Sequence, residues 1–192
     1  RESGWNGKVV TAYRPDPVLD PDDPRFIDNV QRFCAMAGED VGYAGYLRAH
    51  EKRRADFRAA GATSTDHGHP TAFTADLPRG EAEALFRRVS TASATAADAE
   101  LFRGQMLTEM AAMSVEDGLV MQLHPGSFRN HSATVFDRFG RDKGCDIPTP
   151  TDYVRALKPL LDRFGADRRL SLIVFTLDET SYSRELAPLA GH

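Results

Sequence analysis

Two rhythms of apolar and polar residues run along this chain. Short apolar runs closed by turn-forming residues mark strands, and longer stretches with apolar positions three and four apart mark helices. The clearest short run is residues 119–123, broken only by Gln122. It stops at His124-Pro125-Gly126 and opens into Ser127, Arg129, Asn130 and His131. An apolar run closed by Pro-Gly predicts a strand buried on both faces, followed by a loop. Three other segments share the form. Residues 8–13 carry Val9, Val10, Thr11 and Tyr13 and end at Arg14-Pro15-Asp16-Pro17, where two prolines argue against regular structure. Residues 62–65 end at Asp66-His67-Gly68-His69-Pro70, and residues 170–177 end at Asp178 and Glu179.

Helical spacing fills the gaps. Asp23-Pro24 starts a helix in which Phe26, Ile27, Val30, Phe33, Cys34 and Ala37 recur, and Gly38 ends it. A second helix over 41–60 turns Tyr43, Leu47 and Phe57 inward and the basic residues Lys52, Arg53, Arg54 and Arg58 to solvent. Helices over 80–90 and 96–113 follow, the second opened by Thr95-x-x-Asp98, a capping box with Asp for Glu. Its stripe of Phe102, Met106, Met110 and Met113 reads as core filling. A loop to about Pro148 holds Arg138, Arg141 and Lys143. Thr149-Pro150-Thr151-Asp152 starts a helix with Tyr153, Leu157, Leu160, Leu161 and Phe164 on one face, a kink expected at Pro159 and an end at Gly165. A last helical segment fades at Gly191-His192. The strands begin near residues 8, 62, 118 and 170, with one or two helices in each gap. The fold class is therefore α/β, with parallel strands alternating with helices that pack over the sheet. A single unit over 1–192 is expected, with no internal boundary.

Composition narrows the function. The chain has 192 residues, 41% hydrophobic and 27% charged, with a net charge of −4. That balance predicts a soluble protein and argues against a nucleic-acid partner, which would demand a basic patch. No apolar run approaches the roughly 18 residues of a membrane span, and no signal-peptide pattern opens the chain. Two unclustered cysteines, Cys34 and Cys145, fit a reducing cytoplasm better than a disulfide scaffold.

The unusual chemistry falls at the strand ends: Arg14; Asp66, His67 and His69; His124, Arg129, Asn130 and His131; Thr176 and Asp178. In parallel α/β architectures ligands bind at that edge. His67-Gly68-His69 has the spacing of two ligands to one metal. Two other readings of it stay open: Asp66-His67 as a carboxylate-supported proton shuttle, and a histidine that satisfies loop carbonyls. Arg14 suits a two-pronged grip on a carboxylate, or equally an ion pair with Asp16. His50, between Leu47 and Arg54 on a helix, reads as structural. No GxGxxG, Walker, HExxH or GxSxG pattern is present, so the dinucleotide, nucleotide, zincin and α/β-hydrolase readings lack their signatures.

Three patterns occur in order: Arg14-Pro15-Asp16, Asp66-His67-Gly68, and Gln122-x-His124-x-Gly126-x-x-Arg129-Asn130, with Phe57-x-x-x-Gly61 leading into the second. Together, from Trp5 to the C-terminus, they resemble the uronate isomerase (glucuronate isomerase) family of the amidohydrolase superfamily. The resemblance implies a distorted (β/α)8 TIM-like barrel, of which these strands would be about the third to the sixth, so that the chain is the middle of a longer polypeptide. A barrel of roughly 250 residues or more supports that count, and Arg1 in place of an initiator Met accords with it. The implied activity is the aldose–ketose interconversion of hexuronates: D-glucuronate with D-fructuronate, and D-galacturonate with D-tagaturonate. Catalytic roles would fall to Asp66, His67 and His124, and substrate binding to Arg14, Arg129 and Asn130. The family's divalent metal, expected to be zinc, would take its ligands from segments outside this chain, so no metal is expected here. The implied partner is a small sugar acid, with a homo-oligomer compatible. The competing readings are a metal-dependent hydrolase of the same superfamily and a non-catalytic binding module built on part of a barrel.

Overall fold

The computed structural model describes residue 4 and residues 6–91, 93–144 and 146–191. Trp5, Cys145 and His192 lie outside the described residues. Strands β1 (Ser64–His67), β2 (Val120–Leu123) and β5 (Leu172–Val174) form a parallel sheet in that order. The parallel α/β expectation holds, but the first predicted strand shrinks to one residue. Tyr13 makes an isolated parallel bridge to Thr65, its N–H donating to the Ser64 carbonyl at 3.0 Å and its carbonyl accepting from Asp66 N–H at 2.9 Å. Val9 and Val10 are exposed, and among the described residues no strand pairing includes them. The strand over 170–177 is likewise trimmed to three residues.

The sheet is covered on one face only. Thr65, His67, Met121 and Leu123 are buried against helices, whereas the row Asp66, Gln122 and Ile173, in register across the three strands, lies on the other face. Burial of the central strand on both faces is therefore not what the described residues show. Ile173, Phe175 and Leu177 remain about half exposed. An apolar row left bare on a parallel sheet is unusual, because such sheets normally carry cover on both faces.

The helices come first in the chain as α1 (Asp16–Leu19), α2 (Phe26–Ala37) and α3 (Tyr43–Ala59). The two prolines do not preclude structure at 15–19: Pro17 sits in the first turn of α1, where its missing N–H leaves no gap. Asp23-Pro24 forms a turn ahead of α2, with Asp23 Oδ1 accepting from Arg25 N–H at 2.8 Å. Gly38, at φ 67°, closes α2 as expected. Next come α4 (Arg79–Val89) and α5 (Ala96–Asp117). Both halves of the Thr95–Asp98 capping box are formed, and Gly118 at φ 74° turns α5 into β2. Phe102, Met106, Met110 and Met113 are core residues as read.

Arg54 overturns its expected place on a solvated face. It is 1% exposed, and its guanidinium grips Asp117 and donates to Ser114 Oγ at 2.9 Å. The apolar-versus-charged pattern cannot register a cation whose counter-ion lies on another helix.

The region expected as a plain loop folds into a small excursion: β3 (Ser127–Phe128) pairs antiparallel with β4 (Ile147–Pro148), and α6 (Ala133–Phe139) lies between them. Asp152 caps α7 (Tyr153–Ala156), and the chain bends at Leu157 into α8 (Lys158–Phe164), with Pro159 in its first turn. The expected kink is thus a break between two helices. Residues 179–189 are helical, beginning at α9 (Glu179–Ser181) and ending at α10 (Ala187–Leu189), with a π turn at Tyr182–Leu186.

Candidate active site

Parallel pairing brings the carboxyl ends of the strands to one edge, and the sequence puts charged residues directly after each. Arg14 follows the Tyr13 bridge, Asp66 lies near the end of β1, and His124 follows β2. Backbone bonds tie these ends together, His124 N–H donating to His67 C=O at 3.0 Å and Gly126 N–H to Pro70 C=O at 3.2 Å. At this edge lies a cleft of about 490 Å³ whose lining includes Arg14, Asp16, His69, His124, Arg129 and Asn130.

Asp66 is the hub. One carboxylate oxygen lies 3.0 Å from His124 Nε2, and the other is 3.3 Å from Arg14 Nη1. Asp16 anchors Arg14 from the far side, accepting from its Nε at 2.7 Å, and also accepts from Gly68 N–H at 3.2 Å. Both readings of Arg14 therefore survive: it is ion-paired to Asp16, yet its side chain remains 44% exposed at the cleft. Its pKa is raised although burial works against the charge, because the hydrogen bond and the charge of Asp16 outweigh it. Gly68 sits in the middle of this network. A Cβ there would lie 2.6 Å from Arg14 Nη2 and 2.8 Å from His124 Cε1, so any larger residue would push these side chains aside.

Arg129 reaches the cleft from the excursion and pairs with Asp146 at 3.3 Å. Asn130 adopts a left-handed φ of 57°, and its side-chain oxygen accepts from Asp142 N–H at 2.8 Å, so part of its hydrogen-bonding capacity shapes the loop. His67 stands apart from the others. As the neighbour of Asp66 on a strand it points to the opposite face, where it is fully buried with Nε2 3.0 Å from Thr65 Oγ1. Burial holds its pKa well below the usual imidazole value, and burial lowers His69 to about 4. His50 is structural as read: it is buried and shares a 2.7 Å hydrogen bond with the Tyr13 hydroxyl.

Several cleft residues escaped the sequence reading. Arg103, within the apolar stripe of α5, is only 7% exposed and pairs with Asp20, Asp22 and Glu100. Arg141 pairs with Asp23 at 3.3 Å. Only Asp16, inside the Arg-Pro-Asp pattern, had a signal. Donor atoms of Asp16, His67 and His69 all lie within 4.8 Å of one another, a set that fits a divalent cation.

A one-sided parallel sheet with charged side chains gathered at its carboxyl edge defines an α/β protein with a strand-end cleft of the kind that takes a small polar molecule. Its family can be stated: the chain belongs to the glucuronate isomerase family, whose model matches residues 1–192. It is 70% identical over 193 residues to a uronate isomerase of Rhizorhabdus wittichii, covering 100% of this chain and 41% of that protein. It is 69% identical to one of Xanthomonas campestris pv. campestris, with the same coverage. The crystal structure of glucuronate isomerase from Caulobacter crescentus superposes with a TM-score of 0.94 at 62% identity, over 100% of this chain and 40% of that one. A uronate isomerase from Thermotoga maritima, at 24% identity, shares the fold with a TM-score of 0.84 over 91% of this chain and 39% of that one. The chain thus spans about two fifths of the length of the relatives it matches. No helix among the described residues is long and apolar enough to cross a membrane.

Proposed function

We propose that the complete polypeptide interconverts hexuronate aldoses and ketoses, with this chain supplying the carboxylate grip and an acid–base pair. The observation that carries the reading is the convergence of Arg14, His124, Arg129 and Asn130, far apart in sequence, around one cleft at the carboxyl edge of the sheet, with Asp66 bonded to both Arg14 and His124. An aldose–ketose shift moves a proton between adjacent carbons and needs proton transfer at the neighbouring oxygens. Asp66 and His124, 3.0 Å apart, form a pair across which a proton taken by one can pass to the other. Arg14, held from behind by Asp16, presents the rest of its guanidinium to the sugar acid's carboxylate and keeps the open chain in register. Arg129 and Asn130 hold the substrate from the excursion.

His67, fully buried on the helix-covered face of the sheet, supports the strand end rather than touching the sugar. In this reading the strands are about the third to the sixth of a distorted (β/α)8 barrel, and the bare face bearing Asp66, Gln122 and Ile173 is the barrel interior. A divalent metal of such an enzyme would take its ligands from segments outside residues 1–192, and the chemistry it would supply is positive charge to polarise the sugar's oxygens. A cytoplasmic enzyme that works as a homo-oligomer on small sugar acids, without nucleic acid or membrane, accords with the acidic composition and with the free, buried thiol of Cys34.

The test is to incubate the complete polypeptide with D-glucuronate and follow ketose formation by NMR. Asp66→Asn is expected to lower kcat by at least about a hundredfold, and Arg14→Met to raise KM. A complete polypeptide that forms no ketose from any hexuronate would sink the proposal, and a hydrolase would give that outcome.

A further inference from the structure

We propose that Asp16, His67 and His69 form a divalent-metal site within this chain, separate from the metal expected from segments outside it. Three observations meet here. Their donor atoms already lie within 4.8 Å of one another. Among the described residues, His67 Nδ1 and both ring nitrogens of His69 are buried with no hydrogen-bond partner. A buried polar atom left unpaired costs about 1–3 kcal/mol, and native proteins nearly always provide it with a partner. The third observation concerns orientation. His67 Nε2 is 3.0 Å from Thr65 Oγ1. When that nitrogen donates to the hydroxyl, Nδ1 carries the lone pair and points away from Thr65. A hydrogen bond on the far nitrogen is how metal-binding histidines are held in tautomer and direction.

The backbone makes the cluster. His67 and His69 are two residues apart at a strand end and so turn to the same side. The intervening Gly68 lets Asp16 approach closely, with its N–H on Asp16 Oδ1. Asp16 Oδ2 is occupied by Arg14, so Oδ1, with a single 3.2 Å bond, is the oxygen open to a cation. His69 lines the cleft, which lets water complete the coordination.

Two imidazole nitrogens and one carboxylate oxygen suit zinc or a neighbouring transition metal, and not Mg2+ or Ca2+, which need six or more oxygens. In a tetrahedral zinc shell, ligands at about 2.0–2.1 Å lie about 3.3 Å apart, so the side chains would draw together on binding. Arg14 and Arg103 oppose a cation. Arg103 is neutralised by Asp20, Asp22 and Glu100, and Arg14 by Asp16 and Asp66.

The experiment uses the complete polypeptide, purified without chelator and loaded with Zn2+. Anomalous diffraction at the zinc edge should show a peak at bonding distance from His67 Nδ1 and a His69 nitrogen. Metal analysis should show His69→Leu losing about one equivalent of zinc relative to the unmutated protein. With Co2+ in place of zinc, the visible absorption of one tetrahedral site should vanish in the same variant. No anomalous peak at this position, meaning that water alone satisfies the histidines, overturns the proposal. So does a His69→Leu variant that keeps its full zinc content. None of these readouts depends on isomerase activity, so failure here leaves the catalytic reading untouched.

Discussion

Gly68 leaves no free room for a Cβ, because Arg14, Asp16 and His124 all crowd the side where it would stand. Gly68→Ala is expected to push the Arg14 guanidinium and the His124 ring apart and to lower kcat/KM by about 10- to 100-fold, with the fold retained. Steady-state kinetics beside circular dichroism check both halves. Arg54 tests stability instead. Arg54→Met leaves Asp117 without its cation in a largely buried setting, and a loss of about 3 kcal/mol is expected in urea unfolding. His50 gives a pH signature. Burial, with Arg54 adding to it, lowers its pKa from 6.5 to about 3, so the unfolded chain takes up the proton first. Stability is then complete above about pH 6.5 and falls as pH drops from 6.5 toward 3, by up to about 1.4 kcal/mol per pH unit. His50→Gln should flatten that part of the profile in denaturant titrations at several pH values. At this scale the sequence was partly legible. Arg14, Asp66 and His124 stood out because each follows an apolar run, and His50 was read correctly as structural. Arg54 and Arg103 were hidden, since their carboxylate partners lie 63 or more residues away on other elements or are interleaved in an apolar stripe.

Elements were easiest to read where local physics decides them. The α5 helix begins at its Thr95–Asp98 box as read, but it runs past the end expected near Met113 to its cap at Gly118; both caps are interactions within a few residues. Gly118→Ala isolates one of them. A Cβ there meets nothing within 4 Å, so the cost is that of the left-handed φ alone, about 1 kcal/mol. Thermal unfolding of the complete polypeptide measures it. Strands fared worse. Residues 8–13 and 170–177 have β-favouring composition, yet only Tyr13 and Leu172–Val174 find partners among the described residues. A strand needs a neighbour, and composition does not reveal whether one is present. The excursion between β3 and β4 was missed because its two-residue strands are too short to show a period.

At the scale of the whole molecule, no strand among the described residues lies beside β5 on its outer edge, and Ile173, Phe175 and Leu177 are half exposed. Beside them a groove lined by Leu157, Leu161, Leu172, Tyr182 and Leu186 is open. An unpaired edge next to bare apolar surface templates association. The 192-residue chain produced alone is expected to self-associate and to show no isomerase activity. Sedimentation velocity on the fragment checks this, and a monomer that melts cooperatively and forms ketose would contradict it.

Order along the chain was enough to establish alternating α and β elements, the helix caps, the methionine core and the family patterns, because each of these depends on neighbours a few residues apart. Tertiary structure alone decided that Asp66 joins Arg14 and His124 while His67 is buried on the other face of the sheet, and that Asp16 and Gly68 bind the first strand end to the second. It also decided that one face of the sheet stays bare. Those outcomes depend on which side of a strand a residue lies and on what the chain brings opposite it, and neither is written in local spacing.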